Sequence, residues 1–170
     1  MRRNIAFCLA FMLLAGVSTV TAGSLNPFDK RQAPAMELVD MDGLVHSLSS
    51  YKGKVVVVNF WATWCPPCLK ELPSMQSLWE RYRDQDLMML GVNVGEDHDS
   101  IFRFTGTFET ELDFPILLDE RMNVVRGWPV VGLPTTFIVD KSGRIVLSAV
   151  GERDWVSNHV IASIERLLDE

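Results

Sequence analysis

The most informative part of this sequence reads Val58-Asn59-Phe60-Trp61-Ala62-Thr63-Trp64-Cys65-Pro66-Pro67-Cys68. It continues a run of four valines at positions 55–58, and such a run without polar alternation predicts a central strand buried on both faces. A helical pattern then extends from the cysteines to about residue 83. Pro66 suits the first position of that helix, whereas Pro73 is predicted to kink it because proline lacks an amide proton.

Strands and helices alternate on both sides of this stretch. An N-terminal hairpin is predicted at 36–48, with its turn at Asp42-Gly43. Further strands are predicted at 87–94 and 114–118, helices at 100–109 and 120–126, and a second hairpin at 135–150. A final amphipathic helix is expected to begin at an Asp154 cap. The order β-α-β-α-β-α-β-β-α after the hairpin predicts an α/β domain.

The two cysteines have a specific chemical use at the start of a helix. Residues three apart lie on one helix face, with Cβ atoms about 5–6 Å apart, so a small adjustment closes a disulfide. Cys65 lies at the helix N-terminus, where free amide protons and the helix dipole stabilise a thiolate. We therefore predict that Cys65 attacks a disulfide and that Cys68, one turn further in, resolves the mixed disulfide.

Other uses of a close cysteine pair fit the sequence less well. A zinc site needs four ligands, and the chain has only three cysteines and three scattered histidines. Covalent haem attachment needs a histidine after the second cysteine, and position 69 is Leu. A permanent disulfide closing so short a loop adds little stability. We expect a redox-active pair, with no metal and no cofactor.

Composition limits the class of protein further. The chain has 170 residues, 48% of them apolar, and a formal net charge of −6. This describes one globular domain, and the acidic balance argues against nucleic acid as a partner. Three cysteines are too few for a disulfide-rich scaffold.

The first residues are typical of a secretory signal. Two arginines precede an apolar run at 5–17, and small residues follow it. We predict a signal peptide at 1–22, which would remove Cys8, then a linker at 23–35 and a domain at 36–170. A permanent membrane anchor is the alternative, although the apolar run is shorter than the roughly 20 residues that a spanning helix needs. Export would place the remaining cysteine pair in an oxidising compartment.

With these motifs in place, the sequence resembles the thioredoxin superfamily, and within it the exported thiol-disulfide oxidoreductases of the TlpA/ResA/DsbE kind. The matching stretches are 58–68, Val92-Asn93-Val94-Gly95-Glu96 and Gly132-Leu133-Pro134-Thr135-Thr136-Phe137. The resemblance implies a thioredoxin fold, in which helices flank a central mixed sheet, with an N-terminal β-hairpin and a central βα insertion. It also implies a periplasmic or otherwise extracytoplasmic monomer that acts on disulfide-containing exported proteins, such as apocytochrome c during cytochrome c maturation. A membrane thiol donor of the DsbD/CcdA kind would re-reduce it.

The resemblance also assigns a docking region. It implies a cis peptide bond before Pro134, which would leave the backbone of Leu133 free to pair with an incoming peptide. Trp64, Pro66 and Pro67 would complete this substrate-docking surface beside the cysteines. Two further tryptophans, at 61 and 128, could frame the same surface, although core packing is an equal alternative for the first.

An acidic residue is expected to serve the cysteines. Thioredoxins carry a buried aspartate where this chain has Asn59, whereas ResA-like proteins carry a glutamate that matches Glu96. The hypothesis is that Glu96 lies near Cys68, accepts its proton during exchange and disfavours a nearby thiolate. The alternative is that Glu96 belongs to a solvated acidic loop with Asp97 and Asp99.

The two intervening prolines bear on the direction of the reaction. Oxidising members of such families stabilise the reduced thiolate strongly, and prolines supply neither charge nor a side-chain hydrogen bond. We therefore predict a reductant. Two other functions remain open: a peroxiredoxin-like thiol peroxidase, since Thr63 lies two residues before Cys65, and a binding module with an inert disulfide.

Overall fold

A computed structural model of the chain describes residues 25–170. Eight strands and four helices make up the domain, and a short 3₁₀ helix covers Leu48–Tyr51. The strands are β1 (Asn26–Pro27), β2 (Glu37–Val39), β3 (Val45–Ser47), β4 (Val55–Trp61), β5 (Leu87–Val94), β6 (Ile116–Asp119), β7 (Thr135–Val139) and β8 (Ile145–Val150). The helices are α1 (Pro66–Tyr82), α2 (His98–Thr105), α3 (Asn123–Gly127) and α4 (Asn158–Asp169).

Six of the strands form one mixed sheet in the order β1-β8-β7-β4-β5-β6. Strand β4 runs parallel to β5 and antiparallel to β7, and every residue of β4 is buried. The predicted central strand and the predicted order of elements are confirmed. Because β4 and β5 are parallel, the loops that follow them, with Cys65 and Glu96, leave the same edge of the sheet.

The valines of β4 supply both faces of the sheet. Val55 and Val57 pack in the core that contains α1 and α4, whereas Val56 and Val58 pack in the core on the opposite face. Alternation of side chains along a strand produces this division. It explains why the sequence needs an unbroken apolar run here.

The predicted N-terminal hairpin is confirmed as a two-stranded antiparallel sheet of β2 and β3. Gly43 adopts a φ of +80° in its turn, a conformation that favours glycine. Asp40 closes the turn, because its Oδ1 accepts hydrogen bonds from the amides of Asp42 and Leu44 at 2.9 Å. The other carboxylate oxygen lies 2.7 Å from Nε2 of the buried His46, so both strands are tied together.

The segment before the hairpin differs from the predicted linker. Within 25–35, β1 pairs with β8, the Phe28 ring packs edge-on against Phe137 at 5.7 Å, and Ala33 is buried. Strand β8 would otherwise be an open edge, and the segment covers it. The predicted signal at 1–22 lies outside the described residues. None of the helices in 25–170 is long and apolar enough to span a membrane.

Helix boundaries differ from prediction at several points. Helix α4 begins at Asn158 and not at Asp154, and a separate turn precedes it, in which the carbonyl of Asp154 accepts from the Ser157 amide at 3.3 Å. Helices α2 and α3 are shorter than predicted, and strand β6 begins at Ile116. Helix α1 continues through Pro73 as a single element. These shifts leave 151–157 as a loop that packs on α1.

Candidate active site

The cysteine pair lies where β4 turns into α1. Cys65 is the N-terminal cap of the helix, its amide donates to the Ala62 carbonyl at 3.2 Å, and Pro66 occupies the first helical turn. A disulfide joins Cys65 to Cys68, with Cα atoms 5.3 Å apart. Cys65 is 5% exposed and Cys68 is fully buried. The cysteine predicted to attack is thus the more accessible of the two.

The residues predicted to dock substrate differ in how exposed they are. The Leu133–Pro134 peptide bond is cis, and Thr135 next to it pairs with Phe60 at the end of β4, so the proline lies at the same end of the sheet as the cysteines. Pro134 is buried, Leu133 is half-buried, and Pro66 and Pro67 are exposed. The exposed part of this region is therefore Pro66 and Pro67, and Leu133 is only partly accessible.

The three tryptophans near the site have different surroundings. Trp64 is 67% exposed, directly before Cys65. Trp61 is fully buried against Phe104, and Trp128 is buried against Phe60. Core packing thus accounts for the two buried rings, and Trp64 alone of the three offers an apolar surface to a partner.

Glu96 follows β5 and reaches across to the segment that precedes the cysteines. Its carboxylate accepts hydrogen bonds from the backbone amide of Thr63 at 2.7 Å and from the Thr63 hydroxyl. The buried side chain of Asn93 donates to the same carboxylate at 2.8 Å. Glu96 is half-buried, whereas Asp97 and Asp99 are exposed. It therefore ties the turn before Cys65 to β5, and its predicted contact with Cys68 stays a prediction.

A second carboxylate, which the sequence reasoning missed, lies one helical turn after Cys68. Glu71 is 1% exposed on α1. Its oxygens accept hydrogen bonds from Asn59 at 2.8 Å, from the Arg153 amide at 3.3 Å and from the Trp155 indole at 3.2 Å. Burial raises the pKa of Glu71 to about 7, and these donors together with the charge of Arg153 counter part of that rise. Glu71 can therefore exchange a proton near neutral pH.

One signal in the sequence could have identified Glu71. It lies three residues after Cys68 and four before Met75, on the apolar stripe of α1 that also includes Leu72. A charged residue within such a stripe is rarely buried unless it has partners. Those partners come from β4 and from the loop before α4, which are distant in sequence, so the stripe alone does not reveal them.

Histidines and acids elsewhere do not assemble into a metal centre in the described part of the chain. Across 25–170, no group of three or more His, Cys, Asp or Glu side chains could hold a metal ion. His46, for example, bonds to Asp40 and to the Tyr51 hydroxyl.

A cysteine pair at the start of a helix, beside a cis proline at the edge of a mixed sheet, defines the class of thioredoxin-fold thiol-disulfide oxidoreductases. Comparison with known proteins agrees. Residues 30–148 match the AhpC/TSA family. The chain is 39% identical over 130 residues to the thiol-disulfide oxidoreductase ResA of Geobacillus kaustophilus, covering 75% of this chain and 74% of that protein.

Two further proteins that resemble this chain support the same assignment. The ResA protein of Bacillus subtilis is 35% identical over 134 residues, which cover 79% of this chain and 74% of the relative. A crystal structure of a thiol:disulfide interchange protein DsbE from Chlorobium tepidum superposes with a TM-score of 0.74 at 28% identity, covering 85% of this chain and 99% of the other. The chain belongs to the AhpC/TSA family and, within it, to the ResA-like thiol-disulfide oxidoreductases. The predicted family and thioredoxin fold are confirmed.

Proposed function

We propose that this protein is an exported reductant of protein disulfides, with apocytochrome c before haem attachment as one substrate class. The observation that carries the proposal is the Cys65–Cys68 disulfide at the start of α1, with the buried carboxylate of Glu71 one turn behind it. The pair offers a nucleophile in Cys65, the more accessible of the two cysteines, and the carboxylate offers a proton acceptor in the interior.

The reaction begins with the reduced dithiol. The thiolate of Cys65 attacks one sulfur of a substrate disulfide, so that bond breaks and one substrate sulfur leaves as a thiolate. A mixed disulfide now joins Cys65 to the substrate. The N-terminus of the 17-residue helix α1 stabilises the attacking thiolate through its free amides and dipole.

The second step releases the substrate. The Cys68 thiol gives its proton to the Glu71 carboxylate, and the resulting thiolate attacks the sulfur of Cys65. The mixed disulfide breaks, the substrate leaves as a dithiol after taking up protons from water, and the protein keeps the Cys65–Cys68 disulfide. Two electrons have passed from protein to substrate. The burial of Glu71 and its pKa of about 7 support its role as the proton acceptor.

Glu96 has a different part in this proposal. Its hydrogen bonds to the amide and hydroxyl of Thr63 support a positioning role, since they fix the turn that leads into Cys65. The earlier hypothesis that Glu96 accepts the proton of Cys68 competes with the assignment to Glu71, and substitution of each carboxylate distinguishes them.

Substrate docks on the exposed rim of the site. Trp64, Pro66 and Pro67 provide apolar contact, and the Leu133 backbone next to the cis Pro134 pairs with an extended substrate segment. Pro66 and Pro67 also support the reducing direction, because they add no charge or side-chain donor that would favour the reduced thiolate. A membrane thiol protein of the DsbD/CcdA kind is the electron donor in this proposal.

Trapping the mixed disulfide tests the proposed function. Cys68→Ala removes the resolving thiol, so the variant is expected to retain a disulfide-containing exported protein on Cys65. Cys65→Ala is the matched control, because it keeps one thiol in the pair but lacks the accessible one. Equal trapping by both variants, or none by either, would contradict the proposal. Peroxide consumption by the wild-type protein without a disulfide substrate would instead favour the peroxidase alternative.

A further inference from the structure

The loop 151–157 packs against the middle of α1, directly over Glu71. Ser74 anchors it: the Ser74 hydroxyl accepts from the Trp155 amide at 3.1 Å and donates to the Glu71 carbonyl at 2.8 Å. Trp155 is fully buried. The loop thus holds a large ring inside the domain, next to a carboxylate.

The hydrogen bonds of Glu71 come from outside its own helix. Asn59 of β4 donates to one oxygen, and the Trp155 indole donates to the other at 3.2 Å. The Arg153 amide shares that second oxygen at 3.3 Å. An indole N–H can only donate, so its bond to Glu71 is strongest when the carboxylate is ionised.

The other groups around Glu71 divide into neutral and charged. Asn59 of β4 carries no charge, and its amide donates both to Glu71 and to the uncharged Thr136 of β7, each at 2.8 Å. The Arg153 side chain, also buried, is the cation that acts on Glu71 from the loop. Lys70, the adjacent residue on α1, is exposed and lies 3.5 Å from Glu152.

We propose that Trp155 is a positioning residue, which uses its indole N–H to hold Glu71 ionised and so sets the pH at which Cys68 resolves the mixed disulfide. The inference rests on the proposed function, since it assumes that Glu71 accepts the Cys68 proton. Loss of the indole donor removes a bond that only the ionised form makes well. The Glu71 carboxyl then keeps its proton to higher pH and is unable to accept another one.

A two-phase reaction measures this directly. Reduced protein reacts with 5,5′-dithiobis(2-nitrobenzoate): attack by Cys65 releases the first thionitrobenzoate, and attack by Cys68 on the resulting mixed disulfide releases the second. The rate of the second phase is expected to rise with pH through the Glu71 titration. In Trp155→Phe, the midpoint of that rise should move up by about one pH unit. The first phase should be unchanged.

Trp79→Phe is the matched control. The indole of Trp79, on α1, is also bonded to a carboxylate, but that acceptor is Asp113, at 3.0 Å. The same chemical change there should leave the midpoint of the second phase in place. An equal midpoint in wild type and Trp155→Phe would overturn the proposal. Absence of any second phase in the wild-type protein would instead contradict the proposed function.

A measurement on the wild-type protein covers the case in which Trp155→Phe does not fold. In the oxidised protein, the indole ¹H–¹⁵N signal of Trp155 should titrate with the same midpoint as the carboxyl carbon of Glu71, and the Trp79 signal should not follow it. A Trp155 signal that ignores the Glu71 titration would overturn the proposal.

Discussion

Glu71 and Glu96 are two carboxylates near one cysteine pair, and their surroundings differ in depth and in partners. Glu71 is inside the domain and accepts from side chains of β4 and the loop before α4. Glu96 is half-buried and accepts from the backbone and hydroxyl of Thr63. Burial raises the pKa of Glu71 to about 7, so it can change charge near neutral pH. The contacts of Glu96 suit a group that fixes a turn.

This difference shows that a match to a family pattern does not by itself identify the more deeply buried carboxylate. Glu96 belongs to a stretch that resembles a family pattern, which made it the first candidate. Glu71 lies outside the stretches on which that resemblance rests, yet it has the desolvation that raises the pKa of a carboxyl toward neutral pH.

The largest expected effect is a difference between Glu71 and Glu96 in how far their substitution slows the attack of Cys68. Glu71→Gln should slow the attack of Cys68 on the mixed disulfide on the order of 100-fold near pH 7, because the internal proton acceptor is lost. Glu96→Gln should leave that rate within a few-fold and keep its pH dependence. Stopped-flow release of thionitrobenzoate measures both. If Glu96→Gln abolishes the pH dependence and Glu71→Gln preserves it, the roles are reversed.

The pH dependence of the free energy of unfolding should also distinguish Glu71 from Glu96. The pKa of Glu71 rises from an ordinary 4.5 to about 7 on folding, so folding favours its protonated form. Its contribution to the free energy of unfolding is complete below pH 4.5 and falls by about 3 kcal/mol as the pH rises through 7. Urea unfolding of the oxidised protein should show this decline in the wild type and in Glu96→Gln. A decline that persists unchanged in Glu71→Gln would contradict the assignment.

The turn held by Glu96 should be weaker when its acceptor is removed. Glu96→Ala deletes the acceptor for the Thr63 amide and hydroxyl, and the expected loss is about 2 kcal/mol in the free energy of unfolding. Asp99→Ala is the control, because that side chain is 82% exposed and forms an exposed ion pair with His98, at 3.6 Å. Equal destabilisation by the two changes would show that Glu96 has no special structural role.

The smallest expected effect isolates one hydrogen bond of that turn. Thr63→Val keeps the backbone amide bonded to Glu96 and removes the hydroxyl donor, for an expected loss of about 1 kcal/mol. The rate at which Cys65 attacks a model disulfide should fall less than in Glu96→Ala. A larger loss in Thr63→Val than in Glu96→Ala would mean that the hydroxyl has another essential partner.

Much of the fold could be predicted because short stretches of sequence determine its individual strands, turns and helices. The valine run predicted β4, Asp42-Gly43 predicted the hairpin turn, and Pro66 predicted the start of α1. The predicted start of α4 was wrong. Asp154 is a good helix cap in isolation, but the packing of Trp155 against α1 overrides that preference.

The site could be predicted only in part, because local sequence patterns do not show which distant residues pack together. The cysteines and the cis proline belong to recognisable stretches of sequence. The environment of Glu71 depends on Asn59 and Trp155, which are 12 and 84 residues away from it along the chain. Desolvation is a property of the packed interior, and periodicity within α1 indicates only that Glu71 faces inward.

The strand register has a practical consequence for attaching the protein to an electrode. Strand β1 is antiparallel to β8, so the chain at residue 25 enters from the end of the sheet where the cysteines lie. At the other terminus, Lys141, just after β7, bonds to the Leu168 carbonyl at 2.6 Å, which fixes the end of α4 at the opposite edge. A support linked just ahead of residue 25 will therefore hold the disulfide toward its surface and favour direct electron exchange. Linkage after Glu170 will turn the disulfide toward bulk solution and favour large soluble substrates.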